Sequence, residues 1–93
     1  MKSLDPDYPE FEVMEGNFLI GKKKDSVDGC LSAPTISRLH ARVTRNGDCY
    51  FLEDLNSTNG TWVDQIQLNP YELFLLKDKM RILFASVEYE VQL

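Results

Sequence analysis

The stretch Asn56-Ser57-Thr58-Asn59-Gly60-Thr61-Trp62-Val63 connects two apolar runs, one from Cys49 to Leu55 and one from Thr61 to Ile66. Such runs are typical of strands, and the small polar residues between them favour a turn. Asn59-Gly60 by itself predicts a β-hairpin, because both residues tolerate positive φ. The other residues of the loop place hydroxyl groups at its tip, where a ligand could meet them. A solvated hairpin turn and a ligand-binding loop are both open at this point.

Two further motifs precede this loop in the chain. Ser37-Arg38-Leu39-His40-Ala41 opens a strand-like segment upstream, and Leu19-Ile20-Gly21-Lys22 comes before it. Together with the loop, these motifs resemble the forkhead-associated (FHA) domain family, from Phe18 to Leu93. The resemblance implies an all-β sandwich of two mostly antiparallel sheets, which binds phosphothreonine peptides through loops at one end. It also implies a non-catalytic signalling module that needs no cofactor and no metal.

The resemblance assigns roles to individual residues at the loop end. A phosphothreonine carries a charge of roughly −1.5 to −2 and three acceptor oxygens, so its site needs donors from separate loops. Thr58 is expected to offer its hydroxyl and its backbone N–H, and Asn59 to bond the peptide backbone. The residues expected to contact the phosphopeptide are Lys22, Ser37, Arg38, Thr58 and Asn59. Those expected to support the site are Gly21, His40, Ser57 and Gly60.

His40 is the only histidine of the chain, and its role is also set by the resemblance. The family's histidine at this place in the motif braces the loop that carries the serine. Its expected partners are backbone groups near Ser37 or in the tip loop. Alanine at this position is then expected to cost stability, with binding affected only through the loop.

Length and composition predict one domain of ordinary type. The chain has 93 residues, 43% hydrophobic and 27% charged, which is enough for a single core without disulfide staples. No apolar run is long enough to span a bilayer, and the first residues lack the apolar segment of a signal peptide. These features predict a monomeric cytoplasmic module without membrane contact. Residues 1–9 are expected to form a lead-in tail and residues 10–93 the domain, with Cys30 and Cys49 reduced and buried.

Charge is unevenly distributed along the chain. The net charge is −5, which argues against a nucleic-acid partner. Six of the ten basic residues nevertheless lie between Lys22 and Arg45, and five of the fifteen acidic residues lie in the first fifteen positions. A locally basic end on an acidic protein suits a compact anionic ligand, such as phosphothreonine in a protein or peptide. The alternative is that the lysines from Lys22 to Lys24 form a solvated loop.

Periodicity predicts strands and no long helix. Val87 to Leu93 alternates apolar and polar residues, as does Met80 to Phe84, and Glu10 to Val13 is a shorter example. Asn46-Gly47-Asp48 has the composition of a hairpin turn. Tyr71 to Leu76 is too short for periodicity to separate a helical turn from a strand. Closely spaced short strands indicate an all-β sandwich or barrel, in which the first strand could pair with the last.

Three other kinds of site use residues that the chain contains. Ser37, His40 and Asp54 are the residue types of a hydrolase triad, but no G-x-S-x-G elbow surrounds the serine. Cys30, Cys49 and His40 lack the paired spacing of a metal site. No glycine-rich loop ends in Lys-Ser or Lys-Thr, as a nucleotide site requires. The main alternative is a β-sandwich that binds an unmodified protein partner through one face.

The chain departs from the FHA pattern at three places. Lys22 stands where the family usually has arginine, which leaves open whether phosphate binding is weakened. Asp64-Gln65 replaces the frequent Asn-Gly, and Lys79-Met80 replaces Gly-Asp, so both turns are expected to differ. Residues that read the sequence beside the phosphothreonine are expected within Lys24 to Gly29 or near Asp64 to Gln67.

Overall fold

The computed structural model describes residues 1–93, which form ten strands and no helix. The strands are β1 (Lys2–Ser3), β2 (Gly16–Gly21), β3 (Gly29–Cys30), β4 (Ala41–Asn46), β5 (Cys49–Asp54), β6 (Thr61–Val63), β7 (Ile66–Gln67), β8 (Phe74–Leu76), β9 (Arg81–Phe84) and β10 (Val87–Glu90). No membrane-spanning helix is present in this fold. The all-β class predicted from the sequence is confirmed.

The strands form two five-stranded sheets. Sheet I has the order β1-β10-β9-β6-β7, and sheet II has the order β3-β2-β4-β5-β8. Only the β2–β3 pairing is parallel, so the prediction of mostly antiparallel sheets is confirmed. Asn46 lies opposite Cys49 at the end of the β4–β5 ladder, which confirms the predicted hairpin turn between them. The undecided segment from Tyr71 to Leu76 ends in strand β8.

One hydrophobic core fills the space between the sheets. Alternation turns one face of each strand inward, so Val43 in β4, Ile82 in β9 and Tyr89 in β10 are fully buried. The alternation predicted near β9 and β10 is therefore confirmed. Seventeen buried hydrophobic residues from both sheets and their connections form this core. Its burial is the main favourable term that holds the sheets, and hence the loops at their ends, together.

Residues 1–9 pack against the sandwich. β1 pairs with β10 at the edge of sheet I, with Ser3 opposite Tyr89. The Tyr89 hydroxyl donates a hydrogen bond to the carbonyl of Pro9, and burial raises the pKa of Tyr89 to about 12. The predicted lead-in tail thus contributes a strand to the sheet. The domain boundary placed at residue 10 stays a prediction.

The strand predicted from Glu10 to Val13 is wrong. Phe11 and Val13 are buried, as their alternation indicated, but their segment belongs to neither sheet. β1 already occupies the edge of β10, so the predicted pairing with the last strand is not available. Phe11 instead exchanges backbone hydrogen bonds with Met1, next to β1. The prediction of two buried thiols is also wrong: both cysteines are free, but Cys49 is exposed at the start of β5.

The β6–β7 turn predicts a stabilising substitution. Asp64 and Gln65 both have positive φ, 46° and 71°, the geometry of a type I′ turn that favours Asn-Gly. A left-handed backbone costs a residue with a Cβ roughly 1–2 kcal/mol, which glycine avoids. Replacing Gln65 with glycine should therefore raise the free energy of unfolding by about 0.5–1 kcal/mol, measured by chemical denaturation.

The matched control for this prediction is glycine at Gln67, an exposed residue of the adjoining strand β7. Glycine within a strand adds backbone entropy to the unfolded chain, and it removes a side chain that lies beside Gly60, so Gln67→Gly should lower stability. If glycine at position 65 lowered stability as much as at position 67, the turn would not be strained.

Candidate functional site

The polar loop between β5 and β6 connects the two sheets and is not a hairpin. β5 belongs to sheet II and β6 to sheet I, so residues 55–60 cross one end of the sandwich. Positive φ occurs at Asn56 (60°) and Gly60 (88°), but not at Asn59. The hairpin predicted from Asn59-Gly60 is therefore wrong, because each flanking strand pairs with other partners. The loop is instead held by side chains.

Asp54, the last residue of β5, organises this loop. Its buried carboxylate accepts a hydrogen bond at Oδ2 from the Ser57 backbone N–H, at 3.0 Å. Oδ1 accepts from the Ser57 hydroxyl and, at 2.7 Å, from the Thr61 hydroxyl. The Ser57 oxygen in turn accepts from the Gly60 N–H at 3.0 Å. The Asp54 carboxylate thus connects Ser57 near the start of the loop with Thr61 just after it, and the Ser57 hydroxyl extends this network to Gly60.

Sequence reasoning missed this role of Asp54, which it considered only as a member of a hydrolase triad. A usable signal was present. Aspartate at the end of a strand, followed by small polar residues, is a frequent acceptor for the backbone of the next turn. The spacing between Asp54 and Ser57 fits such a turn.

His40 connects the tip loop to the segment that carries Ser37. The imidazole is fully buried; Nδ1 accepts from the Ser37 N–H at 3.1 Å, and Nε2 donates to the Gly60 carbonyl at 2.9 Å. This pattern selects the neutral tautomer with the proton on Nε2. Both partners are the backbone groups predicted from the sequence. Neither ring nitrogen is left to activate the Ser37 hydroxyl, and Asp54 bonds hydroxyls rather than the ring, so the hydrolase triad is not assembled.

Two hydrogen bonds tie the tip loop directly to the Ser37 segment. Ser37 Oγ accepts from the Thr58 N–H at 2.9 Å, and Asn59 Nδ2 donates to the Thr35 carbonyl at 2.8 Å. The Thr58 N–H, predicted to be a ligand donor, is therefore bonded within the protein. The Ser37 oxygen acts here as an acceptor, so its hydroxyl hydrogen is still available to a ligand. The Thr58 side chain is exposed beside it.

Gly21 allows a third segment to approach the Ser37 segment. A Cβ on Gly21 would lie 2.0 Å from the Arg38 carbonyl oxygen, a distance that only glycine avoids. Immediately after it, the Lys22 N–H donates to the Ser37 carbonyl at 3.0 Å, and the Lys23 N–H donates to the Arg38 carbonyl at 3.2 Å. The backbones of the two lysines are thus held along Ser37 and Arg38.

A shallow, open groove lies where these segments meet, and we refer to it as the basic groove. Its three cationic side chains are exposed, and none has a carboxylate within 4.0 Å. The three ion pairs of the protein are formed by other arginines. Unneutralised positive charge therefore gathers next to the Ser37 hydroxyl, as an anion site requires. The lining residues are Lys22, Lys23, Ile36, Ser37 and Arg38.

The structure thus brings together the predicted site residues at one end of the sandwich. Ser37 and Thr58 are in direct contact, and Lys22 and Arg38 lie along the same groove. Asn59 is tied to Thr35 on the neighbouring loop. Of the residues predicted as supports, Gly21, His40 and Gly60 are buried behind the groove. Ser57 is half-buried, and its hydroxyl bonds Asp54 and the Gly60 N–H.

The burial of His40 predicts a pH dependence of stability. Burial lowers the pKa of His40 below its ordinary value of 6.5, against smaller raising effects of the Gly60 hydrogen bond and the Asp54 charge. The unfolded chain therefore takes up a proton at a pH where the folded protein stays neutral. The free energy of unfolding should be highest above pH 6.5 and should fall as the pH drops below it, by at most about 1.4 kcal/mol per pH unit for one proton.

Denaturant titrations between pH 5 and 7 measure this slope. His40→Asn removes the only histidine, so this variant should lose that part of the slope whatever its stability at neutral pH. Identical slopes for the two proteins would assign the pH dependence to other groups.

Comparison with known proteins assigns this architecture to a family. The loops at one end of this β-sandwich bring hydroxyl and cationic groups together, an arrangement suited to binding an anion. Residues 18–85 match the FHA domain, and the chain belongs to that family. The resemblance identified in the sequence is confirmed.

Individual relatives match nearly the whole chain. The probable serine/threonine-protein kinase fhkE of Dictyostelium discoideum is 30% identical, over 99% of this chain but 15% of its own length. A solved chain from a structural and functional analysis of phosphothreonine-dependent FHA domain interactions is 28% identical, with a TM-score of 0.88, covering 99% of this chain and 92% of that one. The FhaA FHA domain, solved in complex with the intracellular domain of Rv3910, is 28% identical, with a TM-score of 0.84 and coverages of 94% and 91%.

Proposed function

We propose that this chain is a non-catalytic signalling domain that binds phosphothreonine in proteins or peptides. The observation that carries the proposal is the basic groove, in which exposed and unpaired cations flank the Ser37 hydroxyl. A phosphothreonine is a compact dianion with three acceptor oxygens, and this combination of donors suits it. The related FHA chain studied for phosphothreonine-dependent interactions supports the same ligand class.

In this proposal each of the residues expected to contact the phosphopeptide has a distinct role. Arg38 offers a planar pair of donors to two phosphate oxygens, and Ser37 donates its hydroxyl hydrogen. Lys22 adds a point charge, and Thr58 adds its hydroxyl from the tip loop. Asn59, whose carbonyl oxygen has no partner within the chain, bonds the peptide backbone. Gly21, His40, Ser57 and Gly60 hold the loops that carry these groups.

The proposal extends to the setting of the domain. The partner is a phosphorylated protein and neither a nucleic acid nor a membrane, as the net charge of −5 disfavours polyanions. Two unpaired cysteines agree with a cytoplasmic location. The competing function is binding of an unmodified protein through a sheet face, which would not depend on phosphate.

Calorimetric titration with matched peptides separates these two functions. A phosphothreonine peptide should bind and its unmodified twin should not, and the affinity should fall as salt rises, because exposed charge pairs are screened. Equal binding of the two peptides would refute the proposal and favour the face-binding alternative.

Replacing Lys22 with arginine should increase the affinity for a phosphopeptide. Its backbone is fixed on Ser37, so its side chain starts beside the proposed phosphate position. Lysine supplies charge without the planar fork of arginine, so it places one donor well at a time. Lys22→Arg should therefore strengthen phosphopeptide binding by a few tenths to about 1 kcal/mol, roughly the net value of one hydrogen bond.

Alanine variants at Lys22 and Lys24, titrated at two salt concentrations, provide the control. Lys22→Ala should weaken binding more than Lys24→Ala, because Lys24 does not line the basic groove. Equal, small and salt-sensitive losses at both positions would show that Lys22 contributes only to the local field.

A further inference from the structure

Lys23 also lies in the basic groove, but it has no role in the proposed phosphate site. Its backbone is fixed at both polar groups: the N–H donates to the Arg38 carbonyl at 3.2 Å, and the carbonyl accepts from the Ser26 N–H at 2.9 Å. Its side chain is exposed and has no carboxylate partner. The main chain from which this side chain extends is therefore held beside Arg38.

The hydrogen bonds also give the order of residues across the groove. Thr58 bonds the Ser37 side chain, Lys22 bonds the Ser37 carbonyl, and Lys23 bonds the next carbonyl, that of Arg38. Lys23 is therefore displaced from the tip loop by one residue beyond Lys22. An anion bound between Ser37 and Arg38 has the tip loop on one side and Lys23 on the other.

Charge indicates what Lys23 meets there. Lys22 and Arg38 already balance the roughly two negative charges of a phosphothreonine. A third unpaired cation in the same groove leaves positive potential beside the phosphate, on a protein whose net charge is −5. The protein as a whole is acidic, so an acidic chain is attracted to this groove rather than to the protein in general.

We infer that Lys23 is a specificity-determining residue, which binds a carboxylate a few positions from the phosphothreonine, so that the domain prefers acidic phosphopeptides. This inference rests on the proposed function and adds the class of partner sequence to it. The carboxylate belongs to the part of the peptide that runs away from the tip loop.

A scan of aspartate positions tests the inference. The peptides have one phosphothreonine in an otherwise alanine-rich sequence, with a single aspartate at each of the three positions before or after it. Aspartate on one side should tighten binding about two- to fivefold, the range of an exposed ion pair. The gain should disappear in Lys23→Ala and persist in Lys24→Ala, which removes the same charge from a residue outside the groove.

Charge reversal completes the test: in Lys23→Glu, a lysine at the favoured peptide position should bind better than aspartate. A flat scan, or an equal gain from aspartate in the Lys23→Ala and Lys24→Ala proteins, would overturn the inference while leaving phosphothreonine binding intact. Failure of the alanine-rich phosphopeptide to bind more tightly than its unmodified twin would instead overturn the proposed function.

Discussion

Replacing Asp54 with alanine should lower the free energy of unfolding by about 3 kcal/mol, because it leaves buried donors unsatisfied. The Asp54 carboxylate accepts from one backbone N–H and two hydroxyls, all in the connection between the sheets. Water cannot replace these contacts freely, since Asp54 and Thr61 are both buried. Denaturant unfolding measures the loss, and the tip loop should become mobile before the sheets separate.

Two variants identify the cause of this loss. Asp54→Asn keeps the size of the side chain but offers one oxygen, whereas both Asp54 oxygens accept hydrogen bonds, so its effect should be intermediate. Asp25→Ala removes an exposed carboxylate that makes no hydrogen bond and should change stability by less than about 0.5 kcal/mol. If Asp54→Ala were as stable as Asp25→Ala, the loop would not depend on the Asp54 carboxylate.

The strands that sequence analysis predicted correctly are those with a local signal. Alternation in β9 and β10 marks which residues face the core, and it needs no knowledge of the neighbouring strands. The β4–β5 turn is a hairpin because its two strands pair with each other. In each case the residues that produce the pattern are also those that make the contact.

The errors arose where strand pairing is set by residues that are distant in the sequence. Asn59-Gly60 has hairpin chemistry, but β5 pairs with β8 while β6 pairs with β9, so the loop crosses between sheets. Likewise, Glu10 to Val13 has strand periodicity, but β1 occupies the edge of β10 that this segment was predicted to join. Neither outcome can be read from the residues of the segment itself, because register and sheet order are set by distant strands.

The site divides in the same way. The motifs named Lys22, Ser37 and Arg38, which line one groove, and the backbone partners of His40, since these follow from a resemblance that includes their arrangement. The use of the Thr58 N–H within the protein and the central position of Asp54 depend on individual hydrogen bonds between loops. Those bonds hold the donor groups in place before a ligand arrives, which lowers the entropy cost of binding.

Replacing Arg38 with alanine should cost about 1.5–3 kcal/mol in phosphopeptide binding, or roughly 10- to 150-fold in Kd, as for a charge-assisted hydrogen bond. Its side chain is exposed and has no partner in the protein, and only its carbonyl is used, by Lys23. Alanine keeps that carbonyl, so the free energy of unfolding should change by less than about 0.5 kcal/mol. Ser37→Ala is a less selective test of phosphate contact, because the Ser37 oxygen also holds the Thr58 N–H.

Lys77 provides the matched control for Arg38, as an exposed cation without an ion pair at the opposite end of the sandwich. Lys77→Ala removes the same charge from the whole protein and should leave phosphopeptide affinity nearly unchanged at moderate salt, where distant charges are screened. Arg38→Lys should fall between the wild type and Arg38→Ala, because it keeps the charge but loses the two-pronged contact. Calorimetry on the wild type and these three variants, with unfolding measured in parallel, separates a direct contact of Arg38 with the phosphate from a general effect of the protein's charge. Equal losses for Arg38→Ala and Lys77→Ala, or unfolding of Arg38→Ala with full binding by the folded fraction, would remove Arg38 from the phosphate site.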